Sequence, residues 1–154
     1  FSVKFTGLGI DLGKHSIGHG GSFKDMSPGQ LKVKIHKFHF QLMADLMKKL
    51  EAVPEGDGSM LDNTVIVYLS DAAEAHHSRC GQWPFVLIPG KNTGLQGGRY
   101  LDFPHYMQDG HREIGNLYTT LLHTVGERRE YFGVRDAMLK GAARGDGPLE
   151  ALLS

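Results

Sequence analysis

The sequence has little cysteine and no excess of either charge. Cys80 is the only cysteine in 154 residues, so no disulfide can form within the chain. Lysine plus arginine equals aspartate plus glutamate, 17 against 17, and a protein that binds nucleic acid usually has a basic surface instead. No apolar run approaches the roughly 20 residues that a membrane-spanning helix needs. We therefore expect neither a nucleic-acid partner nor a membrane span.

Several motifs that identify enzymes are also missing. The chain contains no Gly-x-Ser-x-Gly nucleophile motif, no Walker pattern and no Gly-x-Gly-x-x-Gly at the start of a helix. Ser16, Ser70 and Ser78 each lie near a histidine, but neighbours in sequence do not make a catalytic triad. A thiolate nucleophile at Cys80, near His77, stays open, although a buried structural cysteine is more common.

The most informative stretch is an apolar run followed by acids and histidines. Residues 64–69 are apolar or β-branched without alternation, which predicts a strand buried on both faces. A second buried strand is predicted at residues 85–88. The polar residues that follow the first of these strands would lie just past its carboxyl end, where ligands bind in open α/β sheets.

Two helices are predicted. The first begins at Ser27, with Pro28 in the first turn and Gln30 at the capping-box position, and runs to about Val53. Its apolar residues recur every three or four positions and form one stripe: Ile35, Phe38, Leu42, Leu46, Leu50 and Val53. The second helix is predicted over residues 111–125, with Gly126 closing it.

A first strand over residues 1–10 completes the order strand, helix, strand, strand, helix, with a short edge strand expected at residues 97–103. This order predicts an α/β fold with a mostly parallel sheet flanked by helices. Residues 1–134 would form the domain and residues 135–154 a tail. Two helices cover a broad sheet poorly, so we expect the domain to be partial, its sheet continuing in residues absent here or in another chain.

Two groups of side chains predict a metal site. Imidazole and carboxylate are the usual protein ligands of zinc and similar divalent ions. The loop after the central strand holds Asp71, Glu74, His76 and His77. The loop after the first strand holds Asp11, His15 and His19. If the two strands are parallel neighbours, both groups emerge at one sheet edge; the alternative is that both are solvated loop residues.

Several segments together resemble a bacterial family of unassigned function, domain of unknown function fifteen-fifty-two, which is similar to the alkaline phosphatase and sulfatase superfamily. The more specific matches are the run through Glu55-Gly-Asp-Gly within residues 50–68 and the Asn116-Leu-Tyr segment within residues 115–126. Residues 15–21, 84–90 and 97–101 match the same family in order.

The resemblance implies the C-terminal half of an alkaline-phosphatase-like α/β fold, with a periplasmic or secreted location. It implies that Asp71 and one of His76 or His77 bind a divalent metal (zinc, calcium or manganese), with His15, His19 and Asp11 as further ligands. Ser70-Asp71 matches the first two positions of the superfamily's metal-ligand motif. Ala72 stands where that motif has histidine or asparagine, and no segment matches the half that carries the nucleophile.

Two functions follow as expectations. The chain is a fragment or subunit of a metallohydrolase that acts on phosphate or sulfate esters, completed by a missing N-terminal half or by another chain. Alternatively, it is a degenerate, non-catalytic relative that serves as a binding or structural component of a larger assembly. Ala72 and the missing nucleophile half support the second function, and the two functions stand side by side.

Overall fold

The computed structural model describes residues 3–70 and 81–154. Their elements, in chain order, are strands β1 (Lys4–Phe5) and β2 (Ile10–Gly13), helices α1 (Lys14–Gly18) and α2 (Pro28–Glu51), strands β3 (Pro54–Glu55), β4 (Gly58–Ser59), β5 (Val65–Leu69) and β6 (Phe85–Pro89), and helix α3 (Ile114–Thr124). Short 3-10 helices occupy Thr6–Leu8, Met60–Asn63, Gly141–Ala143 and Glu150–Leu152.

Local chemistry sets the start of α2 as the sequence predicts. The Ser27 hydroxyl accepts a hydrogen bond from the Gln30 backbone N–H, and the Gln30 side chain accepts one from the Ser27 N–H. This reciprocal capping box satisfies two backbone donors that a helix start otherwise leaves unpaired. Pro28 fits the first turn because its missing N–H has no helical partner there. The predicted helix is confirmed, ending at Glu51.

The predicted parallel sheet is wrong. In the described residues the strands form three separate two-stranded sheets, β1–β2, β3–β4 and β5–β6, and each pair is antiparallel. The fold is therefore not the alkaline-phosphatase-like α/β arrangement. Residues 97–103 are not in a strand.

The error has a physical cause in how β5 is buried. Val65 and Val67 face one hydrophobic cluster, and Tyr68, on the opposite face, contacts α2. An apolar run without alternation reports burial on both faces, and β5 has such burial while pairing antiparallel with β6. The first strand and α1 form a local unit of their own, so α2 connects two sheets and not two strands of one sheet.

Two small hydrophobic clusters hold the described chain together. The N-terminal cluster is Ile10, Ile17, Leu31 and Ile35, which joins β2, α1 and the first turns of α2. The C-terminal cluster is Leu95, Leu117, Leu149 and Leu152, with Val65, Val67, Phe85 and Leu87 packed against it. The last residues of the chain therefore contribute directly to the packing of α3 against the β5–β6 sheet.

No helix in residues 3–70 or 81–154 combines the length and apolar character required to cross a membrane.

Candidate functional site

The end of β5 meets the middle of α2 through a tyrosine and two histidines. The Tyr68 Oη lies 2.8 Å from Nδ1 of His36 and 2.9 Å from Nδ1 of His39. His36 and His39 are three positions apart on α2, so both rings reach the same side of the helix. We call these three residues the histidine–tyrosine cluster. Ser70, next to the cluster on the chain, is the last residue before the predicted metal-binding loop.

The proton count in this cluster is constrained. A tyrosine hydroxyl has one hydrogen and donates it to at most one of the two Nδ1 atoms. The other Nδ1 must carry its own hydrogen and donate it to the tyrosine oxygen. At least one of the two histidines is therefore protonated at Nδ1, and Tyr68 couples the protonation of one ring to that of the other.

Burial favours the uncharged forms of His39 and Tyr68. Partial burial lowers the pKa of His39, and the positive charges of His36 and Lys14 lower it further. Burial also raises the pKa of Tyr68, because the phenolate is the form that loses solvation. A neutral imidazole beside a protonated hydroxyl is an arrangement that can accept a proton and pass it along a hydrogen-bonded chain.

Two residues just before β6 connect the end of β5 and the loop before α3 to this region. The Trp83 indole N–H donates a 2.7 Å hydrogen bond to the carbonyl oxygen of Ser70. This bond connects the residue after β5 to a residue just before β6. The Gln82 side chain lies 3.4 Å from Nδ1 of His105, which connects the same region to the loop before α3.

The structure describes three of the six predicted metal ligands. Asp11 lies on β2 and forms a 2.8 Å ion pair with Lys4, so a cation already occupies one oxygen. His15 and His19 lie at α1, the predicted loop being helical, and their rings pack edge-on at 4.7 Å. Asp71, His76 and His77 lie outside the described residues, as does Glu74.

The sequence predicts that the two ligand groups meet at one sheet edge if their strands are parallel neighbours. That condition is not met, because β2 and β5 belong to different sheets. In the described part of the chain, no group of three or more histidine, cysteine, aspartate or glutamate side chains is placed to hold a metal ion. The described residues alone therefore do not form the predicted metal site, and the predicted divalent metal stays a prediction.

Sequence reasoning missed the histidine–tyrosine cluster. His36 and His39 lie near Lys34 and Lys37 on α2, which favours a solvated or packed position without a functional role. The signal that points to them is their spacing of three on a helix, together with Tyr68 just before Ser70-Asp71. Neither feature alone identifies a site, because only the packing of α2 on β5 brings them together.

A second feature of this region is an apolar face of α2 that remains open. Leu31 and Ile35 are buried in the N-terminal cluster. Further along the same helical stripe, Phe38, Leu42 and Leu46 are 37%, 52% and 45% exposed. The stripe thus changes from core to surface halfway along the helix.

Comparison with known proteins gives no match. No family model matches the chain, and neither a curated protein nor a solved structure matches it. The resemblance to the alkaline phosphatase and sulfatase superfamily therefore stays a prediction, as do the location and the activity that it implies.

Proposed function

We propose that the chain is a non-catalytic structural component of a larger assembly. One observation carries the proposal. The chain has an accessible surface of 10122 Å², whereas a folded monomer of 17.0 kDa is expected to expose about 7,700 Å². The excess of roughly 2,400 Å² is larger than the ~800 Å² that each partner contributes to a standard interface.

The exposed stripe of α2 supports the proposal because it is built like a core. Phe38, Leu42 and Leu46 continue the row in which Leu31 and Ile35 are buried, so one stripe has the pattern of a helix that packs along its full length. Monomeric proteins leave single apolar residues exposed, but a contiguous apolar row marks an interaction surface. A partner that covers this row would complete the burial of α2.

Charge substitutions on α2 test the proposal. Leu42→Glu places a carboxylate in the stripe, and Val33→Glu is the matched control, since Val33 is 55% exposed and lies on the opposite side of the helix. Sedimentation velocity reports association, and anilinonaphthalene sulfonate fluorescence reports exposed apolar surface. We expect association or dye binding in the wild type, an at least threefold loss on Leu42→Glu, and little change on Val33→Glu.

Two results oppose the proposal. A monomeric chain that binds the dye equally with and without Leu42→Glu has no interaction surface at this stripe. Equal effects of Leu42→Glu and Val33→Glu reflect a general change in surface charge. Either result leaves the excess surface without a functional meaning.

A second candidate function is hydrolysis of phosphate or sulfate esters, and the histidine–tyrosine cluster favours it. The cluster holds a neutral imidazole at the end of β5, directly before the loop with Asp71, His76 and His77. A base next to a metal-bound water is one way to assist ester hydrolysis. The cluster supplies the base, and the metal would be held by Asp71 and one of His76 or His77.

Metal content separates the two candidates. The purified chain is loaded with zinc, calcium or manganese, dialysed and analysed by mass spectrometry. One equivalent of metal that is lost on Asp71→Ala but kept on Asp57→Ala, an exposed acid elsewhere, supports the hydrolase. Absence of bound metal, or equal retention in both variants, rejects the hydrolase and leaves the structural component.

A further inference from the structure

Strand β5 has one paired edge and one open edge, and the pairing register identifies them. The Gly90 N–H donates a 2.8 Å hydrogen bond to the carbonyl oxygen of Thr64, and the register places Ile66 opposite Ile88 and Tyr68 opposite Val86. Hydrogen-bonded pairs alternate with non-hydrogen-bonded pairs in an antiparallel ladder. The backbone groups of residues 64, 66 and 68 therefore point toward β6.

The backbone groups of the intervening residues point away from β6. These residues are Val65, Val67 and Leu69, which lie opposite Pro89, Leu87 and Phe85. Within the part of the chain that the structure describes, the sheet that contains β5 ends at β5, and no backbone hydrogen bond joins these three residues to another segment. Alternate N–H and C=O groups on one open edge form the pattern that an added strand recognises.

The two outer edges of this sheet are not equivalent. On β6, Pro89 occupies an outward-facing position and has no N–H to donate, a feature that blocks strand addition. The outer edge of β5 has neither proline nor charge between Thr64 and Ser70. Natural edge strands are usually protected by such residues, so β5 has the character of an internal strand without its second neighbour.

A groove lies between the β5–β6 sheet and α3. It is lined by Val65 and Val67 of β5, by Leu121 and Thr124 of α3 and the C-cap residue Val125, and by the polar residues Asn63, Asn92 and Thr93. Its volume is about 360 Å³, and Val125 is 72% exposed. Val65 and Val67 face the C-terminal cluster on this side of the sheet, so a strand added at β5 should carry apolar side chains on the same face.

We infer that a second copy of this chain supplies the strand, with the two β5 strands pairing antiparallel about Val67. In this register Val67 lies opposite Val67 of the second copy, and Val65 lies opposite Leu69 of the second copy. The edge is then self-complementary, as a two-fold interface requires. Val65, Val67 and Leu69 of the two copies then form one continuous apolar face of the combined sheet.

The blocked edge of β6 sets the size of the assembly. Once the two β5 edges are paired, the outer strands of the combined sheet are the two β6 strands, and both carry Pro89. The four-stranded sheet cannot extend further, so the product is a closed dimer and not a fibre. This inference rests on the proposed structural role and names the partner that covers β5.

Amide hydrogen exchange tests the pairing residue by residue. Exchange rates of the full chain are measured by NMR at protein concentrations above and below the dissociation constant that sedimentation gives. In the dimer we expect Val65, Val67 and Leu69 to exchange at least tenfold more slowly than in the monomer. Ile66 and Tyr68 are internal controls, because their N–H groups bond to β6 in both states.

A proline substitution supplies an independent measurement. Leu69→Pro removes one outward N–H without touching the bonds to β6, and Leu69→Ala controls for the lost side chain. We expect Leu69→Pro to weaken dimerisation at least tenfold more than Leu69→Ala, because each dimer loses this hydrogen bond twice. Equal weakening by the two substitutions overturns the inference.

The outcomes separate this inference from the proposed function. A dimer whose Val65, Val67 and Leu69 amides remain unprotected overturns strand pairing and leaves the α2 stripe as the interface. A chain that is monomeric at every concentration overturns the dimer, while dye binding by the stripe decides the structural role separately. Protection of the three amides in a monomer means that the chain covers its own edge, and this too overturns the inference.

Discussion

The Tyr68 hydroxyl lies 2.9 Å from Nδ1 of His39 and connects the strand β5 to the long helix α2. The same oxygen lies 2.8 Å from Nδ1 of His36. One side chain thus ties the β5–β6 sheet to the helix that runs back to the N-terminal cluster. The cluster connects β5 to α2 through hydrogen bonds, and it is also a candidate for proton transfer. The two roles make different predictions.

The first prediction concerns the hydrogen-bonded connection that Tyr68 makes between β5 and α2. Tyr68→Phe keeps the ring but removes the oxygen that both histidines contact, so we expect the free energy of unfolding to fall by about 1 kcal/mol. Chemical denaturation measures the change. Tyr100→Phe is the control, because Tyr100 is 91% exposed and should tolerate the loss of its hydroxyl. If Tyr68→Phe is as stable as the wild type, the Tyr68 hydroxyl does not stabilise the packing of β5 on α2.

The second prediction concerns the pH dependence of stability. The pKa of His39 is lowered below 6.5 by burial first, and then by His36 and Lys14, so the unfolded chain takes up a proton at a pH where the folded chain does not. Stability from this residue is present above pH 6.5 and is lost as the pH falls below it. Denaturation of the wild type and His39→Gln between about pH 8 and about pH 5 measures the difference.

Two observations check the cause of that shift. An NMR titration should give His39 a pKa below 6.5, and Lys14→Gln should raise it, because one nearby positive charge is removed. A His39 pKa at or above 6.5 is incompatible with the proposed environment. If Lys14→Gln leaves the pKa unchanged, burial of the ring and the charge of His36 account for the shift.

The elements that the sequence predicts well are those set by local chemistry. The start of α2 follows from Ser27, Pro28 and Gln30, three residues that contact one another within one turn. The strands β5 and β6 also lie where apolar runs place them. Strand direction and sheet membership depend on contacts between distant segments, which periodicity does not report, and for this reason the parallel sheet is wrong.

The candidate site is harder to predict for the same reason. His36 and His39 acquire a role only through Tyr68, which lies on another element and is distant in sequence. The predicted ligands Asp71, His76 and His77 lie outside the described residues, so their role stays a prediction. The open edge of β5 is identified by which alternate residues of β5 form hydrogen bonds with β6. The sequence does not specify that pairing register.

The third prediction concerns Asn116, which is fully buried on α3. Its amide N–H groups donate to the carbonyl oxygens of Gly145 and Gly147, each at 2.8 Å, and its side-chain oxygen accepts from the Glu113 N–H at 2.7 Å. Asn116→Ala leaves these backbone groups without partners, and we expect a loss of about 3 kcal/mol. Thermal and chemical denaturation measure it.

A matched control separates this network from the general cost of losing an amide. The Asn92 side chain is exposed and makes one 2.9 Å hydrogen bond, to Asn63. Asn92→Ala should change stability by no more than about 0.5 kcal/mol. Similar losses in the two variants contradict the assignment of Asn116 as the residue that fixes the C-terminal segment.

The fourth prediction concerns Tyr131 at alkaline pH. Burial first, and then the hydrogen bond to Glu113, raise the pKa of Tyr131 to about 12. Its protonated form therefore stabilises the fold below pH 10, and this contribution is lost as the pH rises from about 10 toward 12. Ultraviolet titration of tyrosinate should show a late-ionising group that Tyr131→Phe removes and Tyr100→Phe does not.

The fifth prediction concerns Gly90, the buried residue that follows β6 and crosses the 3-10 helix Met60–Asn63. A Cβ at this position would fall on the backbone carbonyl oxygens of Leu61 and Asp62. Those two carbonyl oxygens are held by hydrogen bonds, from the Thr64 N–H to Leu61 at 3.2 Å and from the Asn92 N–H to Asp62 at 2.9 Å. We therefore expect Gly90→Ala to destabilise the chain by more than about 2 kcal/mol, which chemical denaturation measures.

Gly7→Ala is the control, because nothing lies within 4 Å of its Cβ position. If Gly90→Ala unfolds at the same denaturant concentration as Gly7→Ala, the close crossing of β6 over this turn is wrong, and so is the register that opens the outer edge of β5.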